Sequence, residues 1–551
     1  MPGFLKTLTT PPVNRWLVLA VIVTGFIANI REALDLNMHR RPPDWYIGAI
    51  PPALSDMHFN HAADHTGLTA VRDLFESGLT TRSHTDLNAA IDRVLKQAPH
   101  LPHRDRHLMG ADDKGNIDYV KLSFRIFGYR VEGFLYLYFL ILGLASALYI
   151  VHFWNRGWPL AFLMSFYGAH YVLLPTVALN PELRGIIAMR FIPIVTMISC
   201  LHILIVIGLG LKRAGDVGFV AAQTAVILFI LHVRSTAIWQ VDIAAVMVPF
   251  VLLISHLGRR REFTSLEIVS RGGTNVGRWL LRTAWPLVML LAGVSLLEIY
   301  KKTTYAAEYH RDEQITTRVF WHSLYTGFAF HPELRSQNGI KIDDVSVIDA
   351  TGRFLLSKGR DAEWMAMGGT HPGYHGFRWA LHDRVVKELY LEMWRQHPVE
   401  CLTTLVYYKP LALVRNIAWL MRFRKTTPCL HLYNGDLQRE FMTMTREMNE
   451  KRVSFNLVQL LPLLLTLVGS ILLAEPILRY VASIGVYFIA LLAGSLVPAI
   501  VGYPAPHTIG EPLIMTGAVF YLAIGLVVAW LCRKLFGRAA EAPPTGAADT
   551  K

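Results

Sequence analysis

The sequence predicts an all-α polytopic membrane protein, with about ten transmembrane helices and two large, mainly helical insertions on one side. Three observations lead there. Of 551 residues, 53% are hydrophobic and the mean hydropathy is +0.34, more apolar than a soluble chain of this length. Several runs of about 20 residues carry almost no charge, the length that crosses a hydrocarbon core of about 30 Å. Basic residues gather in the short loops between these runs, as orientation by the positive-inside rule requires.

The elements follow in order. Residues 1–31 are a cytoplasmic start and a first span at 15–31. A short basic region precedes that run and no small-x-small cleavage site follows it, so it reads as a retained signal anchor. Residues 32–132 form the first extracytoplasmic insertion. Spans at 133–153, 159–179, 189–211, 217–233, 242–258 and 280–299 fill the stretch 133–299. Residues 300–452 form the second insertion. Spans at 453–474, 478–501 and 513–532 fill 453–532, and a tail at 533–551, rich in Ala, Pro and Thr, reads as disordered. With the N-terminus inside, the inner loops carry Arg156, then Lys212 and Arg213, then Arg259 to Arg261, then Arg479, then Arg533 and Lys534. This places both termini in the cytoplasm, the chain in the inner (cytoplasmic) membrane, and all long polar sequence on the extracytoplasmic face.

Within the first insertion, Asp86 caps a helix whose Leu87, Ile91, Val94 and Leu95 share one face. A second pattern, Asp118 to Phe127, sets Val120, Phe124 and Phe127 against Lys121 and Arg125. Both fit helices lying on a membrane surface. In the second insertion a Gly/His turn spans Gly368 to Gly376, and a helical pattern runs from Trp379 to Gln396 until His397-Pro398 breaks it. A further apolar helix passes through Lys409-Pro410. Its part at 409–423 reads as either an interfacial helix or a short span.

Composition removes some functions. The net charge of +13 comes without a basic tail or zinc-finger spacing, so nucleic acid is not a partner. Of four cysteines, Cys200 lies within a span and Cys532 at the end of one. Cys401 and Cys429 share the second insertion, as one disulfide or as two thiols. No Cys/His metal pattern occurs.

Several polar groups call for a chemical reason. Glu32 and Asp35 stand three apart at the outer end of the first span and would share a helix face. One of them can act as general base toward an acceptor hydroxyl, or the pair can simply end a helix beside Arg31. Arg190 and Arg234 sit where spans meet the outer surface. A guanidinium at that depth needs an anion, and its fork suits a phosphate; ordinary headgroups, or Glu182 and Asp242, would also serve. Glu308, His310, Arg311, Asp312 and Glu313 form a charged cluster, with His322 close behind. Its oxygens are of the kind that take a sugar or a divalent cation, yet it has no DxD or HExxH pattern. His507 and Glu511 lie on a proline-stiffened outer loop. His371 and His375 flank Pro and Gly and do not read as a zinc pair. His170 and His202, inside spans, read as bonded to neighbouring helices. Of cofactors, a divalent cation is the one these residues leave open.

This layout resembles the GT-C class of membrane glycosyltransferases: one span, a long first outer loop with acids at its membrane edge, many further spans and a late outer domain. The resemblance implies a polyprenyl-phosphate-linked sugar as donor and a glycan, lipid or protein as acceptor, among membrane lipids. It implies Asp35 and Glu32 as the catalytic acids. Arg190, Arg234, His322, Glu308, Asp312, Glu313 and His507 are the substrate-binding candidates. Two other readings stay open: an envelope glycan polymerase or ligase, and a lipid-linked substrate transporter or flippase. A transporter would need polar groups near the bilayer midplane.

Overall fold

A computed structural model describes residues 11–38, 50, 53–54, 57, 66–67, 84–97, 107–108, 115–179, 192–262, 283–304, 320–342, 344–369, 377–414, 457–479, 481–502 and 510–540. Among the described residues the protein is helical, apart from one antiparallel pair of two-residue strands, β1 (Thr66–Gly67) and β2 (His107–Leu108). Five stretches are long and apolar enough to cross a membrane: Gly133–Phe153, Ala214–Val233, Ser235–Leu253, Ile484–Val501 and Ile514–Leu535.

The helices are α1 (Pro11–Met38), α2 (His84–Gln97), α3 (Gly115–Phe127), α4 (Gly133–Phe153) and α5 (Leu160–Leu179). Then come α6 (Pro193–Leu209), α7 (Ala214–Val233), α8 (Ile238–Glu262) and α9 (Trp285–Thr304). The expected span at 189–211 starts in the structure at Pro193, whose missing N–H and fixed φ suit a first helical position. The expected span at 242–258 starts earlier, at Ile238, because a 3-10 turn at Ser235–Ala237 already reverses the chain. The expected spans at 15–31, 159–179 and 280–299 fall on α1, α5 and α9.

The second half holds α10 (Phe320–Thr326), α11 (Pro332–Asn338), α12 (Asp344–Ser357), α13 (Asp361–Ala366), α14 (Trp379–Gln396) and α15 (Pro398–Thr403). α15 continues through a π-turn (Thr404–Tyr408) and a helical stretch at 409–414. Last are α16 (Leu457–Leu472), α17 (Ala474–Arg479), α18 (Val481–Val501) and α19 (Gly510–Ala540).

One hydrophobic core joins N-terminal and C-terminal helices. α5 packs against α1, α16 and α19, while α8 packs against α18. A separate core in 320–414 is built from Tyr325, Phe328, Leu334, Val347, Val386, Leu389, Met393 and Cys401. Cys401 is a buried free thiol; Cys429 lies outside the described residues.

α2 and α3 meet one end of the bundle, where α4 starts. Short turns join α4 to α5, α6 to α7 and α7 to α8; α6 packs against both α7 and α8, and α7 packs against α4, so that the start of α4 and the end of α7 lie together. α3 reaches both: Tyr119 donates to the Phe134 carbonyl at 2.6 Å, and Asp118 meets His232. α3 therefore packs onto the bundle as well as burying Val120 and Phe124, rather than lying alone on a surface. α2 buries Leu87, Ile91 and Val94, the face its spacing predicts, and Asn88 links it to Glu132 and to the Val131 backbone.

Candidate functional site at the end of the bundle

The site begins with the way α3 is seated. Its first residue, Gly115, lies against the end of α7. A Cβ there would stand 1.9 Å from the His232 carbonyl oxygen and 2.5 Å from the Val233 nitrogen. Only glycine permits that approach. The contact brings the N-terminal end of α3 to the C-terminal end of α7, an alignment that the two helix dipoles favour. α7 stops there because Arg234 turns extended, with φ −144° and ψ 102°, while its N–H still bonds to the Ile230 carbonyl at 2.7 Å.

This seating creates an acid–imidazole pair. The Asp118 Oδ2 atom lies 2.8 Å from His232 Nε2, and its Oδ1 lies 2.7 Å from Lys121 Nζ. An ionised carboxylate only accepts, so His232 donates through Nε2, and Nδ1 becomes the basic nitrogen of the neutral ring. Burial pushes the Asp118 carboxyl up. The hydrogen bonds from His232 and Lys121, together with their charges, outweigh it and hold the group at about 2. The Tyr300 ring meets the imidazole edge-on at 6.1 Å. Arg234, two residues beyond His232, is half-buried at the same end. An imidazole oriented by a carboxylate is the arrangement of a general base.

α1 ends close to this level. Asn29 is fully buried; its amide donates to the Gly25 carbonyl at 2.7 Å and to the Tyr167 carbonyl at 3.1 Å. These acceptors leave its oxygen to receive His170 Nδ1–H at 2.6 Å, and His170 Nε2 then accepts from the Tyr138 hydroxyl at 2.9 Å. Thus His170 is bonded to its neighbours, as expected of a histidine inside a span. Tyr138 sits one turn along α4 from Phe134, the residue that α3 grips. Glu32 and Asp35 belong to α1 just beyond Asn29; the fully buried Ala33 marks its inward face there, and the side chains of both acids lie outside the described residues.

His322 stands in a different cluster. It is 2% exposed, with Nε2 donating to Asp344 at 2.9 Å and Nδ1 lying 3.0 Å from His382 Nε2. Asp383 receives the backbone N–H groups of His322 at 2.8 Å and Phe320 at 3.2 Å, capping the start of α10. Burial, then the His322 ring, hold His382 well below its ordinary value, while Asp344 acts in the other direction. Burial also pushes the Asp383 carboxyl up. These bonds place His322 in the packing of the second insertion. Arg190, Glu308, Asp312, Glu313 and His507 lie outside the described residues, as do His310, Arg311 and the turn at 370–376. Asp118, Lys121 and His382 carry no motif, and only the folded chain singles them out. Among the described residues no group of three or more His, Cys, Asp or Glu side chains is arranged to hold a metal.

Among α4, α5, α6 and α19 lies a small apolar cleft, lined by residues such as Phe162, Phe166, Met197, Leu201, Met515 and Leu522. No family model, curated protein or solved structure matches this chain.

Proposed function

We propose that this protein is an integral membrane glycosyltransferase that moves a sugar from a polyprenyl phosphate to a glycan, lipid or protein acceptor. In this reading the chain crosses the inner membrane about ten times, both termini are cytoplasmic and the reaction takes place on the extracytoplasmic face. The observation that carries it is the Asp118–His232 pair, 2.8 Å apart, at the end of a candidate span, with Arg234 two residues further along the chain.

The chemistry is one displacement. The acceptor oxygen attacks the anomeric carbon and its proton passes to His232 Nδ1. The bond from that carbon to the phosphate oxygen breaks, and Arg234 holds the charge that develops on the polyprenyl phosphate. Asp118 keeps the imidazole in the correct tautomer. Glu32 and Asp35 stay as the alternative base, on the neighbouring helix.

The test uses the protein in membranes, with radiolabelled polyprenyl-phosphate hexose and pentose as donors. Asp118→Asn, His232→Gln, Arg234→Gln, Glu32→Gln and Asp35→Asn are compared with the parent. Loss of transfer in His232→Gln assigns the base there. Transfer that is unchanged in all five variants ends the reading.

A second reading has its own observation. Asp216, His152, His202, Gln223 and Ser199 form a continuous hydrogen-bonded chain among α4, α6 and α7. Polar groups between apolar helices are what a lipid-linked substrate transporter needs. Movement of a fluorescent polyprenyl-phosphate sugar between the leaflets of proteoliposomes, without bond cleavage, would favour it.

A further inference from the structure

The second insertion ends in a helix with two unlike faces. α15 and its continuation bury Cys401, Thr404, Lys409, Ala412 and Leu413. On the other side Val399, Leu402, Val406, Tyr407 and Val414 are between 53% and 68% exposed. Positions 399, 402 and 406 follow helical spacing, so they form a stripe. The π-turn at Thr404–Tyr408 widens the helix just where Pro410 has no N–H for the Val406 carbonyl and its ring would crowd that oxygen. Val414 extends the apolar surface beyond it.

The level of this helix is fixed by one amine. Lys409 Nζ donates to the Gly502 carbonyl at 2.6 Å and to the Val501 carbonyl at 3.1 Å. Those are the last carbonyl of the candidate span Ile484–Val501 and the one that follows it. A lysine satisfies such orphan acceptors and meets the negative end of the helix dipole. Gly327 makes room for it, since a Cβ there would lie 2.2 Å from Nζ. The His331 ring packs on Tyr408 with centroids 4.6 Å apart. The helix is therefore tied to the end of a candidate span, with its apolar stripe exposed at that level.

We infer that the exposed face of α15 and its continuation lies in the boundary between headgroups and hydrocarbon, with phospholipid acyl chains as its partner. A helix of this kind lies in the plane of the interface, buried by about 5–10 Å. It seats the second insertion against the membrane, and it does not depend on which reaction the protein catalyses.

The experiment places p-benzoylphenylalanine at Leu402 or Val406 of the full chain, in phosphatidylcholine nanodiscs, and reads adducts by mass after irradiation. The same probe at Arg395, whose side chain is 81% exposed on α14, is the reference. Phospholipid adducts at 402 and 406, at least about fivefold above 395, are expected. Should the probe at 406 disturb the π-turn, the same probe at Val399, ahead of it, gives the reading. Yields at the stripe equal to that at 395 overturn the inference, and so do adducts to another protein or to another part of the same chain.

Discussion

His152 Nδ1 and His202 Nε2 lie 2.6 Å apart, and the bonds on either side decide which ring carries which proton. Gln223 donates its amide to the Ala145 carbonyl at 2.8 Å, so the same nitrogen must also donate to His202 Nδ1 at 2.9 Å. His202 then holds its proton on Nε2 and gives it to His152. His152 in turn donates through Nε2 to Asp216 at 2.9 Å. Ser199 closes the far end by donating to the Gln223 oxygen at 2.6 Å. Every donor points toward the carboxylate, and both rings are neutral.

That one-way chain makes Gln223 its keystone. Gln223→Leu removes the partner of Ser199, of the Ala145 carbonyl and of His202 Nδ1 at once. Leaving buried polar groups unmade costs about 1–3 kcal/mol each, though not additively. The thermal midpoint of the reconstituted variant should fall by several degrees. An unchanged midpoint would mean that the chain contributes nothing to stability.

Asp118 gives a signed pH dependence. Despite burial, the bonds from His232 and Lys121 hold its carboxyl at about 2 in the fold, against an ordinary value of 3.8. A lowered carboxyl contributes stability above its unfolded value and loses it as pH falls through the folded one. The contribution is roughly 2 kcal/mol, complete above about pH 5 and lost between there and pH 2. Asp118→Asn should flatten acid unfolding in that window. In the transferase reading it should also lower turnover about 10²-fold or more, because the imidazole loses its tautomer.

Gly115 tests the seating of α3 independently of charge. Gly115→Ala places a methyl carbon on the His232 carbonyl, so α3 must shift. Overpacking of this kind costs about 1–3 kcal/mol. Faster cleavage of the first insertion by protease, with the rest of the bundle intact, is the expected outcome. Equal cleavage rates would show that α3 does not need this contact.

How much of this was legible depends on range along the chain. Local periodicity is a short-range signal, and it placed α14 at Trp379 to Gln396 and the buried face of α2 on Leu87, Ile91 and Val94. The break at His397-Pro398 was equally local. Asp118 and His232 are 114 residues apart, and Asn29 and His170 are 141 apart, and no spacing rule connects them. Arg234 is legible as a charge where a span emerges, whereas nothing in the spacing gives His232, two residues earlier, a role. The interfacial helix or short span expected at 409–423 is described only as far as residue 414, and the exposed apolar stripe begins earlier, at Val399. The π-turn at Thr404–Tyr408 interrupts the helical period that would have marked it.

Asn29 separates the two candidate bases. It ties α1 to α5 through Tyr167 and His170, next to the segment that carries Glu32 and Asp35. Asn29→Leu keeps the volume but leaves the His170 Nδ1–H and the Tyr167 carbonyl without that partner, a loss of about 1–3 kcal/mol. It should lower the thermal midpoint whichever base acts. If Glu32 or Asp35 takes the proton, kcat should fall with it, by about tenfold or more, since a base loosely held loses alignment. If His232 takes the proton, kcat should stay within about twofold, because α3 and α7 hold that ring without α1. Measuring kcat and midpoint together in Asn29→Leu therefore assigns the base: a loss of stability with turnover kept points to His232, and a parallel loss of both points to the acids of α1.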